Sequence, residues 1–152
     1  MSADITGVSS STAEQTTGQI KTLGRAEAFH ARALIVDGHD DNLLLMEYAL
    51  EALGLSFMSA TCSHEAIQLA GQHQFSLVLL NVSLFGRTGI SVLKHLRKQR
   101  RYRTTPIIAV TAMAFPKDRT RLLAAGFSDC LIKPYTLDDL DSLIHQYAPE
   151  TP

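Results

Sequence analysis

The sequence predicts an α/β fold, a doubly wound five-stranded parallel sheet. Two observations carry this. Five short apolar runs alternate with five segments of helical periodicity from Ala33 to Tyr147, with short connections. The apolar runs are nearly continuous, as expected of strands buried on both faces. The 152 residues suit one domain with one good core, 45% of them are hydrophobic, and 19% are charged.

Residues 1 to about 28 precede the first run. They are rich in Ser, Thr and Gly with few large apolar groups. Such a segment cannot bury enough surface to offset its ordering entropy, so a flexible tail or a short linker is expected. The foldable part is taken as 29–148, with 149–152 as a C-terminal tail. "ALIVD" (33–37) is the first strand and ends at Asp37. Asp40 and Asp41 open a helix by capping and by the helix dipole, and Leu43, Met46, Leu50 and Leu53 recur at helical spacing. Gly54 suits its C-terminus.

"LSFMSA" (55–60) is the second strand. Ser63 opens a helix to about Gln74. "SLVLLN" (76–81) is the third strand, followed by the helix "GISVLKHLRKQ" (89–99). "PIIAVT" (106–111) is the fourth strand, and Pro116 to Ala125 a helix stopped by Gly126. "DCLIK" (129–133) is the fifth strand. Thr136 caps the last helix, 136–147, with Asp139 at the capping-box position. Asp37, Asn81, Thr111 and Lys133 each close a strand, so all four are expected in one crevice at the carboxyl edge of the sheet.

The order and spacing of these fragments resemble the receiver domain of two-component response regulators over residues 32 to 147. Thr111 and the Lys133-Pro134 pair match the family pattern. "LLNVSLFGRTG" aligns with the acceptor stretch without a gap, with Gly89 at the loop glycine, and "RLLAAGFSDCLIKP" is very close to the family. The resemblance implies a CheY-like, flavodoxin-like sheet of strand order 2-1-3-4-5 and a cis Lys133-Pro134 bond.

Four departures stand out. Asn81 occupies the phosphoacceptor position, where the family has an aspartate. The acid pair reads Asp37-Gly38 and lacks its second carboxylate. Cys130 replaces the aromatic switch residue, and Phe85 replaces a loop proline. The amide oxygen of Asn81 is a far poorer nucleophile than the carboxylate that forms an aspartyl phosphate. Mg²⁺ favours carboxylate oxygen, and the family ligand set loses two of its three acids here. Asp37 alone is a weak metal candidate, so no cofactor is expected. Lys133, the family's phosphate-binding lysine, is expected to neutralise Asp37 and hydrogen-bond Asn81. Thr111, a switch position in the family, is expected to be a strand-end hydroxyl.

The expected function is a non-enzymatic pseudo-receiver, independent of phosphorylation, acting through protein contacts. Its partner would be a sensor kinase or downstream regulator in a two-component or phosphorelay pathway, and a homodimer is open. Family analogy places the contact face within about 116–147, around Lys117, Arg121, Asp138 and Asp141. Two alternatives stay open: a conventional phosphoaccepting regulator carrying an acceptor-to-Asn substitution, and an anion or small-ligand sensor using the vacated crevice. A nucleotide-binding flavodoxin-like domain is disfavoured by the lack of GxGxxG or a P-loop. Only "APETP" follows Tyr147, so output is expected through a partner, unless the chain is a fragment of something larger.

Charge and composition narrow the classes further. The formal net charge of -1 argues against a general nucleic-acid binder. "KHLRKQRRYR" (94–103) holds six of the 14 basic residues and reads as a helix C-terminus followed by a solvated loop. The six histidines, His30, His39, His64, His73, His95 and His145, show no metal-site spacing. Cys62 and Cys130 form no CxxC and read as small apolar residues beside strands in a reducing compartment. No apolar run approaches the ~18 residues of a membrane span, and no signal pattern opens the chain, so a cytoplasmic protein is expected.

Overall fold

The computed structural model describes residues 20–21, 33–82 and 88–148. Five parallel strands form the sheet: β1 (Ala33–Val36), β2 (Phe57–Ala60), β3 (Leu77–Asn81), β4 (Ile107–Thr111) and β5 (Asp129–Ile132). Their spatial order is β2-β1-β3-β4-β5, the 2-1-3-4-5 order that the resemblance implied. A two-residue strand, Ile20–Lys21, pairs antiparallel with Phe57 and Met58 at the β2 edge. These two residues lie in the segment read as a tail. The rest of that segment, the C-terminal tail and Phe85 lie outside the described residues.

The helices are α1 (Asp40–Ala52), α2 (Ser63–Gln72), α3 (Thr88–Lys98), α4 (Pro116–Ala125) and α5 (Leu137–Tyr147). Strand side chains alternate between faces, and two cores result. Leu34, Val36, Val78, Leu80, Ile107 and Ala109 face α2, α3 and α4. Ala33, Ile35, Leu77, Leu79, Ile108 and Val110 face α1 and α5, meeting Met46, Leu50, Leu140 and Ile144. β1 to β4 are buried on both faces, whereas β5, at the sheet edge, leaves Ile132 exposed.

Several helix ends differ from the sequence reading. Asp40 and Asp41 lie in the first turn of α1, but the cap position is His39 and has no side-chain cap bond. Their contribution is to the dipole only. Cys62 is exposed, and its Sγ caps α2 by accepting from Glu65 N at 3.5 Å; it is not an apolar residue packed beside a strand. α2 stops at Gln72, short of Gln74, because His73 turns extended. The buried Tyr102 hydroxyl lies 2.8 Å from the Ala70 carbonyl oxygen and 2.7 Å from that of His73, satisfying this helix end. The Thr136–Asp139 capping box forms as read, with Thr136 accepting from Asp139 N and Asp139 from Thr136 N. The Lys133-Pro134 peptide bond is cis.

One of the six basic residues in 94–103 is not a solvated charge. Arg97 turns inward and donates to the carbonyls of Tyr102 (2.6 Å), Thr105 (2.7 Å) and Gly126 (3.0 and 3.2 Å) and to Ser128 Oγ (3.2 Å). Burial lowers its pKa. The guanidinium thus ties α3 and the 3₁₀ turn Arg100–Tyr102 to the start of β5. Hydrogen bonds to a charged group are worth about 1.5–3 kcal/mol each, and a lysine cannot reproduce the fork. Arg97→Ala should therefore lower the unfolding free energy by about 2–3 kcal/mol, and Arg97→Lys should recover less than half of it. Urea denaturation of the two variants beside the wild type measures both effects.

Candidate functional site

The in-register parallel strands end at one edge, where Asn81 and Thr111, the last residues of β3 and β4, meet Asp37 and Lys133, the first residues after β1 and β5. Asp37 is buried at 7% exposure. Its Oδ1 accepts from His39 N at 2.9 Å, and its Oδ2 lies 3.7 Å from Lys133 Nζ. The same ammonium donates to Asn81 Oδ1 at 2.8 Å. Lys133 therefore reaches across β4 to join the ends of β3 and β1, as the sequence reading expected.

Thr111 is fully buried, and its Oγ1 accepts from Met113 N at 3.0 Å. That bond shapes the start of the β4–α4 loop. Lys133 N donates to the Thr111 carbonyl at 2.8 Å, so β5 hands the lysine to the site from a fixed backbone. Gly38 has no positive φ, and a Cβ there would meet only the Thr61 carbonyl oxygen at 3.5 Å. Nothing in the backbone demands glycine at this position. Gly89 is different. A Cβ on it would lie 2.7 Å from the Asn81 carbonyl oxygen, so the first turn of α3 can approach the acceptor position only without a side chain.

Cys130 lies on β5, half-buried against the α2/α3/α4 core. Burial pushes its thiol pKa up, Arg119 opposes this and Asp129 adds to it. Asp129 itself ties three elements. It accepts from Arg119 Nη1 of α4 (2.6 Å), from the Tyr147 hydroxyl of α5 (2.8 Å) and from Cys130 N of β5 (2.7 Å). Burial pushes the Asp129 carboxyl up, but the bonds from Arg119, Tyr147 and Cys130 outweigh it and hold it below the ordinary range. The positions read as the contact face lie around this clamp: Lys117, Arg121 and Asp138 are exposed, and Asp141 is partly so. Phe115 (69%) and Leu123 (37%) add exposed apolar surface on α4.

Sequence reasoning missed Asn42 and Tyr135, which belong to the site. Both line a groove of ≈ 560 Å³ between α1 and the start of α5. Its floor is Ile35, Leu79 and Val110, and its polar end is Asp37, Asn81 and Lys133. Among the described residues, Tyr135 donates only to the thioether of Met46, at 3.6 Å, and its pKa is raised by burial and then by Asp37. Only the position of Tyr135, two residues after the lysine, offered a sequence signal. A second hollow of ≈ 600 Å³ lies on the other side of Asn81 and Lys133, lined by Thr111, Met113 and Phe115. Among the described residues, no cluster of three or more His, Cys, Asp or Glu side chains could hold a metal ion. Among them also, no helix is long and apolar enough to cross a membrane.

Two outcomes follow from this geometry. Gly89→Ala drives a methyl group against backbone, and such overpacking costs about 1–3 kcal/mol. It should lower the thermal midpoint, whereas Gly38→Ala should leave it nearly unchanged; calorimetry of both variants checks the contrast. For Asp129, a folded pKa below the unfolded one means stability that is full above about pH 4. That stability is lost as pH falls through the depressed folded value. Urea midpoints measured between pH 2.5 and 6 should fall more steeply on the acid side for the wild type than for Asp129→Asn.

Comparison with known proteins agrees with the architecture. The family model described as "Response regulator receiver domain" matches residues 33–145. The signal transduction histidine-protein kinase BarA of Shigella flexneri is 33% identical over 116 residues, which are 76% of this chain and 13% of that protein. The chain thus spans about an eighth of the length of that curated relative. Among solved structures, the chemotaxis protein CheY4 of Vibrio cholerae aligns with a TM-score of 0.71 at 25% identity, over 77% of this chain and 98% of that one. The receiver domain of the sensor histidine kinase PA1611 from Pseudomonas aeruginosa PAO1, with a magnesium ion in its active-site cleft, aligns with a TM-score of 0.70 at 28% identity, over 78% and 97%. The chain belongs to the response regulator receiver domain family of two-component signalling.

Proposed function

We propose that this chain is a pseudo-receiver: a signalling module that acts by protein contact, independently of phosphorylation, and is not an enzyme. The observation that carries the reading is the Lys133 Nζ–Asn81 Oδ1 bond of 2.8 Å at the acceptor position. The amide oxygen is neutral, and attack on a phosphoryl donor would leave a high-energy imidate rather than an acyl phosphate. The residues present do not fit Mg²⁺ either. Asp37 offers one carboxylate, Gly38 offers none, and the Asn81 oxygen is engaged by a cation.

Receiver domains work with kinases or phosphotransfer proteins, and BarA of Shigella flexneri, among the relatives, is a histidine kinase. A sensor kinase or a downstream regulator is the partner we propose, contacting the face of α4, β5 and α5. Asp129 supports this assignment, because its three bonds hold these elements together without any modification. Cys130, in place of an aromatic, leaves that face without the side chain that the family pattern uses as a switch.

The reading is tested by phosphorylation followed as intact mass. Wild-type protein incubated with acetyl phosphate and Mg²⁺ should keep its mass; an adduct of about +80 Da, one phosphoryl group, would overturn the proposal. Asn81→Asp restores the nucleophile but leaves two carboxylates, so it should label slowly or not at all. Asn81→Asp with Gly38→Asp restores three, and the backbone at 38 accepts a side chain. Their mutual repulsion should make the double variant less stable in chelator and more stable in Mg²⁺. It should label faster than the single variant. Equal, rapid labelling of both would show that the chain is a conventional receiver carrying one acceptor substitution.

A further inference from the structure

The groove beside the acceptor position is apolar along its length and polar at one end. Ile35, Leu79 and Val110 form its floor, with Leu45 of α1 and Leu137 of α5 at its walls. Leu45 is 63% exposed and Leu137 46%, so both hold apolar surface against water. The volume of ≈ 560 Å³ falls within the about 300–1,000 Å³ of small-molecule sites. The exposed Leu44 and Tyr48 do not line it.

Several hydrogen-bond donors at the polar end have no strong acceptor among the described residues. The Lys133 ammonium has three N–H groups and, among the described residues, makes one hydrogen bond, to Asn81, while Asp37 Oδ2 stays at 3.7 Å. The amide NH₂ groups of Asn81 and Asn42 donate to none of the described residues. Among the described residues, Tyr135 donates only to a thioether, a weak acceptor. The one carboxylate, Asp37, already accepts from His39 N. A ligand that suits this end brings acceptors, and one that suits the walls brings an alkyl or aryl body.

We propose that this groove binds a small amphiphilic carboxylate, with its apolar body on Ile35, Leu79 and Val110 and its head on Lys133 and Asn81. The site goes beyond the pseudo-receiver reading and does not depend on it, since its test uses no phosphoryl donor. Decanoate, decanol and decylamine, each below its micelle concentration, are titrated into wild-type protein by calorimetry. Methyl spectra locate the binding. Decanoate should bind about tenfold tighter than decanol, the worth of one charge-assisted hydrogen bond, and decylamine should bind weakest.

The methyls of Ile35, Leu79 and Val110 should shift, and those of Leu34, Val78 and Ile107, on the other face of the sheet, should not. Ala49→Trp, in the groove wall, should abolish binding. If that variant does not fold, Leu45→Ser at the exposed rim should weaken every ligand. Lys133→Met should erase the preference for decanoate over decanol while decanol still binds. Equal affinities for the three ligands would overturn the proposal, as would shifts centred elsewhere. Lack of saturable binding by decanoate would overturn it too, and would leave the groove to a partner's side chain.

Discussion

The ammonium of Lys133 sits between two strand ends that are not neighbours in the sheet. It donates to Asn81 at the end of β3 and faces the buried carboxylate of Asp37 beyond β1. A carboxylate at 7% exposure is costly unless a cation or several donors compensate it. Here Lys133 and the His39 N–H do so. With Asn81 and Gly38 neutral, the two charges of the crevice cancel. Aspartates at both positions would leave a net charge of minus two, which only an added cation could balance. The two departures from the family pattern are therefore coupled. Together they leave Asp37 and Lys133 as an opposed pair of charges among the described residues of the crevice.

The edge of β5 is held by groups of its own: Arg97 grips the turn before it, and Asp129 ties it to α4 and α5. A receiver that responds to phosphoryl transfer needs two arrangements of this region, with a ligand that favours one of them. Among the described residues, Cys130 offers no aromatic lever, and the Thr111 hydroxyl is committed to Met113 N.

The sheet was legible because its signals are redundant. Continuous apolar runs such as "LVLLN" and the fivefold alternation point to the same topology, and four of the five runs end at a polar residue. The four crevice residues followed from that alone. What escaped was set by directions in space that spacing does not encode. The run 94–103 looks uniformly basic, yet Arg97 lies on the inward face of α3, between Leu93 and the carbonyls of Tyr102 and Thr105. Cys62 looked apolar and proved to be a helix cap because the chain turns there. Asn42 and Tyr135 enter the site through the packing of α1 against the β5–α5 loop, a contact between residues about 90 apart in sequence.

Why some positions keep the family pattern and others do not has a structural answer. Asp37 and Thr111 match it, and each accepts a backbone N–H two residues onward, from His39 and Met113. Removing either acceptor would take away a bond that shapes the loop opening α1 or α4. Gly89 matches, and a side chain there would collide with the Asn81 carbonyl. Lys133 matches, and Asp37 would otherwise be a buried charge without a cation. Gly38 and Asn81 depart from it, and no described contact of the fold requires an acid at either place. The matching residues are thus those that contacts within the described fold use.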